Sequence, residues 1–258
     1  MAQTISIIGL DSIGLIQSGD DLSKIIYDAT RAEKSELRDN DIIVISQKVI
    51  SKAEGQLVDI STIKPSARAK NFAKKTKKSP QLITLILQDS ARVLRAEKRA
   101  LVVRRKDGFI CLNAGVDKSN VKGETIYARL PNNSDISAQK LRTNLELLSG
   151  KKLAVIVADT YSRPSRVGQV EFAIGIAGMQ PIIDYRGKED LFGYELKFKY
   201  VALADEVAAA AELVMGQGTE QIPVAIIRGL GRLQHTEETN LARKLSLGRQ
   251  KDLFSKIL

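Results

Sequence analysis

The chain has 258 residues, 40 Lys+Arg against 30 Asp+Glu for a formal charge of +10, 43% hydrophobic residues, one histidine and one cysteine. That suits one large or two small globular domains. The single Cys111 excludes an internal disulfide framework and cysteine-rich zinc modules, and the single His235 excludes two-histidine metal sites. The start Met1-Ala2-Gln3-Thr4-Ile5-Ser6 lacks a basic-then-apolar signal, and no apolar run nears the roughly 20 residues of a membrane helix, so a cytoplasmic protein is expected.

In chain order, Thr4–Ile8 reads as a strand, and Asp20-Asp21 caps a helix striped by Leu22, Ile25, Ile26 and Ala29. Asp41–Ile45 is a short buried strand of β-branched residues. Ala69, Phe72, Ala73 and Thr76 share one helical face, and Lys70, Lys74, Lys77 and Lys78 fall opposite. Ser79-Pro80 opens another helix. Arg92–Cys111 reads as strands with a hairpin turn at Asp107-Gly108. Ala138, Leu141, Leu145 and Leu148 stripe a helix that Gly150 ends. Leu153–Val157 is a buried strand ending at Asp159, and Phe172–Gly178 and Pro181–Tyr185 are further strands. Leu203–Met215 is a helix closed by Gly216, Ile222–Ile227 a last strand, and the polar tail from His235 is read as helical, with Leu241, Leu245, Phe254 and Ile257 apolar. The fold class expected is mixed α/β, without the regular βαβ rhythm of a doubly wound sheet.

The charge is uneven. Lys64 to Lys106 holds 14 basic and 2 acidic residues, a balance of +12 on an otherwise near-neutral chain. This is either a solvated face or an attraction for an anionic partner: a phosphorylated ligand, nucleic acid or an acidic membrane. Phe72 is its one aromatic residue before Phe109, which weakens a single-strand-binding reading.

The chemistry-bearing segments lie at strand ends. There is no GxxxxGK[ST] and no GxGxxG, and His235 sits in the polar tail rather than after a strand, where a serine triad would want it. Ser46 to Gly55 places Gln47, Lys48 and Lys52 after a strand, where two lysines suit phosphate as point charges or simply form a surface turn. Asn113 to Asn120 offers Asp117 and two amides around Gly115, a donor set for a hard cation or an ordinary Asx-rich turn. Ala158-Asp159-Thr160 puts a carboxylate and a hydroxyl at a strand end, suited to magnesium on a nucleotide phosphate, with Arg163 and Arg166 nearby to clamp an anion. Asp205-Glu206 complement a helix dipole, and Gly216 and Gly218 allow a tight turn close to a ligand.

Six runs follow one another in order: Ile50-Ser51-Lys52-Ala53-Glu54-Gly55; Asn113 to Val121; Asp159-Thr160 with Arg163 and Arg166; Phe172 to Gly178; Asp184 to Gly193; and Ala204-Asp205-Glu206 to Met215-Gly216. From Gly9 to Gly229 the chain resembles the coenzyme F420-0:L-glutamate ligases, the γ-glutamyl ligases of deazaflavin coenzyme synthesis. The resemblance implies an acid–amino-acid ligase joining L-glutamate to the terminal carboxylate of F420-0, then a second glutamate to the γ-carboxylate of the first. It implies GTP, a divalent metal (magnesium or manganese), potassium, an acyl-phosphate intermediate and a homodimer. It also implies a two-lobed mixed α/β fold, neither P-loop nor Rossmann, over residues 1–230, with a C-terminal tail over 231–258.

Carried over residue by residue, Leu10, Asp11, Ser12 and Ile13 form a first nucleotide loop, with Asp11 where relatives commonly have Pro. Gln47, Lys48 and Lys52 form a second nucleotide segment, Lys52 toward the phosphates. Asp117 and Asp159 fall on metal ligands, Thr160 on a ligand of a second metal and Asn120 on a nucleotide contact. Leu213, Val214, Met215, Gly216, Gln217, Gly218, Thr219 and Glu220 cover a last nucleotide loop. Gln217 stands where some relatives place an acidic ligand of the second metal. Arg163 and Arg166 are assigned to the acceptor or glutamate carboxylate, and the basic segment to steering anionic substrates. The rivals are a ligase of this family acting on another acceptor carboxylate, and a basic nucleic-acid binder, which leaves the six ordered runs unexplained.

Overall fold

The computed structural model describes residues 3–163, 165–231 and 233–247. In chain order these form β1 (Ser6–Leu10), α1 (Leu22–Ala32), β2 (Ile42–Ser46), α2 (Gln47–Ala53), β3 (Leu57–Asp59), α3 (Ala67–Thr76) and α4 (Pro80–Gln88). Next come β4 (Ser90–Glu97), β5 (Ala100–Arg105), β6 (Ile110–Leu112), β7 (Ile126–Ala128) and α5 (Ser134–Ser149). They are followed by β8 (Ala154–Ser162), β9 (Gln169–Ala177), β10 (Ile183–Asp184), β11 (Tyr200–Val201), α6 (Leu203–Met215) and β12 (Val224–Arg228). The described residues divide into two compact units, 3–50 with 132–245, and 51–131 with 246–247, so the division falls inside α2. This is a mixed α/β fold, as the pattern of apolar residues implies. Among the described residues no helix is long and apolar enough to cross a membrane.

The first unit is built on a five-stranded sheet in the order β1-β12-β2-β8-β9. Only β2 and β8 pair in parallel, and every other neighbouring pair is antiparallel. Ile42, Val44, Ala154, Ile156, Ala158, Ala225 and Ile227 pack with Val207, Ala208, Ala211 and Met215 of α6 in one core cluster. Strand alternation turns Ile43, Ile45, Val155 and Val157, all fully buried, to the other face, where α5 packs on β8 and β9. A Cβ on Gly175 of β9 would lie 2.3 Å from the Ser134 carbonyl oxygen, so the α5 N-terminus rests directly on the strand.

β9 is the far edge of this sheet, and three of its backbone N–H groups donate to carboxylates of helices. Ile176 N donates to Asp135 at 2.8 Å, Ala173 N to Asp205 at 3.0 Å and Glu171 N to Glu212 at 3.2 Å. Asp205 thus does more than complement a helix dipole. It satisfies a donor beside the β-bulge at Ile174, where the register shifts between Val157 and Ala158. Burial pushes the Asp135 and Asp205 carboxyls above their ordinary value of 3.8, against these hydrogen bonds. A raised folded-state value means the folded chain holds the proton more tightly. The contribution to stability is therefore full below the unfolded value and is lost as pH rises through the folded one. Asp205→Asn keeps an oxygen acceptor and carries no charge. It is expected to be at least as stable as the parent at pH 7, with the difference vanishing toward pH 3; urea unfolding across that range measures this.

The second unit holds the three-stranded antiparallel sheet β4-β5-β6, the pair β3-β7, and α3 and α4. Ala69, Ala73, Leu82, Ile83, Leu85, Ile86, Leu101 and Val103 form its core. Its residues 51–131 carry 18 Lys+Arg against 7 Asp+Glu. Lys70 and Lys74 are exposed as expected, whereas Lys78 is half-buried and its pKa is lowered by desolvation. Arg105 is buried and structural, donating to Asp107 and to the Ala114 carbonyl at 2.8 Å each.

Several element boundaries differ from the sequence reading. α2 is not foreseen, because Gln47 to Ala53 is short and largely polar. β8 runs on to Ser162 and β9 starts at Gln169. The pair projects as a hairpin whose polar residues end the apolar run but not the hydrogen bonding. From His235 onward the described residues hold one 3-10 turn, Ala242–Leu245, in place of a helix. Phe254 and Ile257 of that expected helix lie outside the described residues. His235 is tied to the fold, with Nε2 2.6 Å from Asn40 Oδ1 and Nδ1 3.1 Å from the Gly178 carbonyl.

Candidate active site

Sheet direction gathers the candidate segments of the first unit. β12 is antiparallel to both β1 and β2, and β2 is parallel to β8, so β1, β2 and β8 run the same way. Their carboxyl ends, Leu10, Ser46 and Ala158, therefore share one edge, the place where open α/β sheets bind ligands. Leu10 to Ile13 leaves β1 there, Gln47-Lys48 leaves β2, and Asp159-Thr160 continues β8. The segment from Gly216 to Pro223 arrives there to start β12, with Ser46 N donating to the Pro223 carbonyl at 3.0 Å. A Cβ on Gly9 would meet Ile222 at 2.7 Å and Val214 at 3.4 Å, which shows how closely β1 passes this last loop.

Each segment is held by local chemistry. Ser12 donates from its N–H at 3.0 Å and its hydroxyl at 2.5 Å to Glu33 at the α1 C-cap. Leu10 and Ile13 are buried, while Asp11 and Ser12 are exposed. Gln47 is buried and Lys48 half-buried. Leu213 is exposed, Val214 half-buried and Met215 buried. Gly216 has φ 66° and ψ −179°, a conformation open essentially to glycine. It turns the chain out of α6 into exposed Gln217, Gly218, Thr219 and Glu220, and Gly218 N donates to Glu220 at 2.7 Å.

Asp159 and Thr160 are consecutive in β8, so their side chains point to opposite faces. Asp159 shares its face with Tyr161 and Phe172, whose rings stack at 5.0 Å. Thr160 lies on the α6 face opposite its register partner Glu171. The Thr160 hydroxyl is 2.9 Å from Glu171 Oε1 and 2.8 Å from Gln217 Oε1, and Gln217 Nε2 donates to Glu171 Oε1 at 2.8 Å. Glu171 is buried at 7% exposure, and its Oε2 has no hydrogen-bond partner among the described residues. Burial pushes its carboxyl above the ordinary value. The bonds from Gln217 and Thr160 and the charge of Lys48 oppose this, and the charge of Glu212 adds to it.

Arg163 and Arg166 lie in the loop joining β8 to β9, which also holds exposed Val167. Pro164 between them lies outside the described residues. Arg163 Nε is buried without a partner among the described residues, and Arg166 is exposed.

Three candidates belong to the second unit. Lys52 is in the last turn of α2, beside Ser51, whose hydroxyl donates to the Arg129 carbonyl at 2.6 Å. Asp117 pairs with Ala128 through reciprocal backbone bonds of 3.0 and 2.9 Å. Its carboxylate accepts from Lys118 N at 2.6 Å, Ser119 N at 3.1 Å and the Ser119 hydroxyl. Asn113, Ala114, Gly115 and Asn120 have φ values of 52°, 56°, 72° and 52°. Such a run of left-handed residues, Ala114 included, is costly and persists where the surroundings enforce it. Arg105 on the Ala114 carbonyl and Asn113 accepting from Leu101 N at 3.3 Å do so.

Glu171, Glu212 and Glu33 are site residues that the sequence reading misses. Extending the β8–β9 register inward from the loop would pair Thr160 with Glu171; nothing in the local pattern marks the other two.

Among the described residues no three carboxylate, imidazole or thiol groups converge as a ready-made metal site. The oxygens of Thr160, Gln217 and Glu171 are nonetheless donors that hard cations accept, and the partnerless Glu171 oxygen fits such an ion.

A family profile described as F420-0:Gamma-glutamyl ligase matches residues 11–229. The chain is 44% identical over 225 residues to the coenzyme F420:L-glutamate ligase of Methanothermobacter thermautotrophicus, covering 87% of this chain and 89% of that protein. It is 46% identical over 194 residues to the protein of the same name from Methanocaldococcus jannaschii, covering 75% and 77%. To that of Methanopyrus kandleri it is 40% identical over 240 residues, covering 93% of each.

Proposed function

The chain belongs to the F420-0:gamma-glutamyl ligase family, and from that premise we propose that it joins L-glutamate to the terminal carboxylate of F420-0 in the cytoplasm, at the expense of GTP. A second glutamate follows onto the γ-carboxylate of the first. The observation that carries this reading is the meeting, at one edge of the five-stranded sheet, of Leu10 to Ile13, Gln47-Lys48, Asp159-Thr160 and Gly216 to Glu220.

A carboxylate does not exchange oxygen for an amine directly, since hydroxide and oxide are poor leaving groups. In the proposed sequence a carboxylate oxygen of F420-0 bonds to the γ-phosphorus of GTP, and the bond to the β-phosphate oxygen breaks. GDP leaves, and an acyl phosphate remains. The glutamate nitrogen then bonds to the acyl carbon, phosphate departs and the amine gives up a proton. A bound divalent cation would neutralise phosphate charge and polarise the transferred group. The protein's part is positioning and charge. Asp159 would serve such a cation, as would Asp117, with Thr160 and Gln217 for a second. Lys48 and Lys52 bear on the phosphates, and Asn120 and the 10–13 and 213–220 loops on the nucleotide. Arg163 and Arg166 bear on an acceptor or glutamate carboxylate, and potassium supports activity. The test is mass spectrometry of F420-0 incubated with the protein, L-glutamate, GTP and Mg²⁺ or Mn²⁺. Glutamyl addition is expected, and the number of additions fixes product length. GTP hydrolysis without addition would move the search to another acceptor carboxylate. Neither would overturn the ligase reading, and tight, salt-dependent binding of DNA or RNA would then favour a basic binding module.

We also propose a homodimer. Support comes from the arm between β10 and β11, where Leu191, Phe192 and Phe198 are 96, 94 and 86% exposed. Clustered large apolar side chains in water mark a contact surface. At the base of the arm Arg186 pairs with Asp184, holding that carboxyl down at about 2, and lies over Tyr200. The double variant Leu191→Asp/Phe192→Asp is expected to sediment at half the parent's mass. A parent that sediments as a monomer would contradict the proposal.

A further inference from the structure

We propose that Glu171 is a direct ligand of a divalent cation held on the α6 face of the sheet, together with Thr160 and Gln217. This rests on the reading above, in which Thr160 and Gln217 serve a cation, and adds the one anionic member of the set. Three side-chain oxygens, Thr160 Oγ1, Glu171 Oε1 and Gln217 Oε1, are drawn together at 2.8–2.9 Å about the Thr160 hydroxyl. With Glu171 ionised, that hydroxyl has one proton for two acceptors, so one oxygen–oxygen contact lacks a hydrogen. The only other donor to Glu171 Oε1 in this ring is the Gln217 amide, at 2.8 Å. Glu171 Oε2 is buried and receives no hydrogen bond among the described residues. A buried carboxylate oxygen without a partner is destabilising, and folds retain one where a positive group arrives to satisfy it.

The geometry favours a ligand over a mere positioning residue. Positioning Thr160 and Gln217 needs only Oε1, and a glutamine would do it without burying a charge. The backbone that carries it is held in place: Glu171 is the register partner of Thr160, and its N–H donates to Glu212. Hydroxyl and amide oxygens are neutral, so without Glu171 the ring would offer a dication no charge of its own. Carboxylate, hydroxyl and amide oxygens together suit Mg²⁺ or Mn²⁺, with nucleotide phosphate completing the coordination.

The experiment counts Mn²⁺ bound by the full chain in the presence of GDP, by electron paramagnetic resonance of the free ion, for the parent and Glu171→Gln. The variant is expected to bind one fewer Mn²⁺ per chain, or to bind that ion more than about tenfold more weakly. Melting temperature supplies a second readout. Without metal Glu171→Gln is expected to melt at or above the parent, while Mn²⁺ with GDP raises the parent's melting temperature by more than the variant's. A purely structural role predicts the reverse, a lower melting temperature without metal and an unchanged Mn²⁺ count, and that result overturns the proposal. If Glu171→Gln does not fold, Glu171→Asp carries the test: weakened Mn²⁺ binding supports the proposal, and unchanged binding overturns it. A parent that binds no Mn²⁺ with GDP removes the nucleotide–metal reading as well, whereas equal binding by parent and variants removes only the role of Glu171.

Discussion

Asp159→Asn should lower the rate of glutamyl addition by roughly 10³-fold while leaving the fold in place. The residue continues β8 beyond Ala158, the register partner of Ser46 in β2, at the edge where three co-directed strands end. Tyr161 and Phe172, on the same face, stack on one another at 5.0 Å. Asparagine has nearly the same shape and one less negative charge. The loss should therefore appear in turnover and in metal dependence, with little change in melting temperature. Product formation followed by mass spectrometry over a Mn²⁺ series, beside thermal unfolding, separates the two effects. Activity within tenfold of the parent at saturating metal would remove Asp159 from the machinery.

Arg228→Met should destabilise the chain by about 3–5 kcal/mol, the usual effect of stripping the partner from a buried charge. Asp41 is 1% exposed and receives Arg228 Nε at 2.9 Å and Nη2 at 2.8 Å. The same guanidinium donates to the Glu36 carbonyl at 2.8 Å. It thereby fastens the end of β12 to the segment leading into β2. Methionine fills much of the volume and supplies neither charge nor donors, so among the described residues the Asp41 carboxylate keeps the Arg38 N–H alone, at 2.8 Å. Urea denaturation measures the loss. The double variant Asp41→Asn/Arg228→Met should recover part of it, since no buried charge then remains unpaired. A single variant as stable as the parent would show that Asp41 finds water or another donor.

The elements readable from the sequence are the helices in which one face alone is apolar and the strands β2, β8 and β12, whose short apolar runs are buried on both faces. The α1 stripe and its Asp21 cap, the Ser79-Pro80 start of α4 and the whole of α6 with Gly216 behind it follow from 3.6-residue periodicity and capping chemistry. The β8–β9 hairpin was harder. Hydrophobicity stops at Ala158, but the backbone goes on pairing through Ser162, because a strand beyond its helical cover needs no apolar side chains. That is why Thr160 was legible as a candidate and Glu171 was not. Finding Glu171 takes the hairpin register, and the register follows from how β8 and β9 lie together. The left-handed run at Asn113 and Ala114 was equally hidden: a glycine at 115 signals a turn, while an alanine at φ 56° is enforced by Arg105 from another strand.

The three carboxylates along β9 bear on how the chain is made as well as on how it stands. Asp135, Asp205 and Glu212 belong to α5 and α6, one helix preceding β9 in the chain and the other following it. Until both helices dock, the outer donors of β9 are open to any extended segment, including the same strand of a neighbouring molecule. Once they dock, the edge is closed without proline, a covering strand or a lysine fence. The hazardous interval for misassembly therefore ends with the arrival of α6, the last helix of the unit to leave the ribosome.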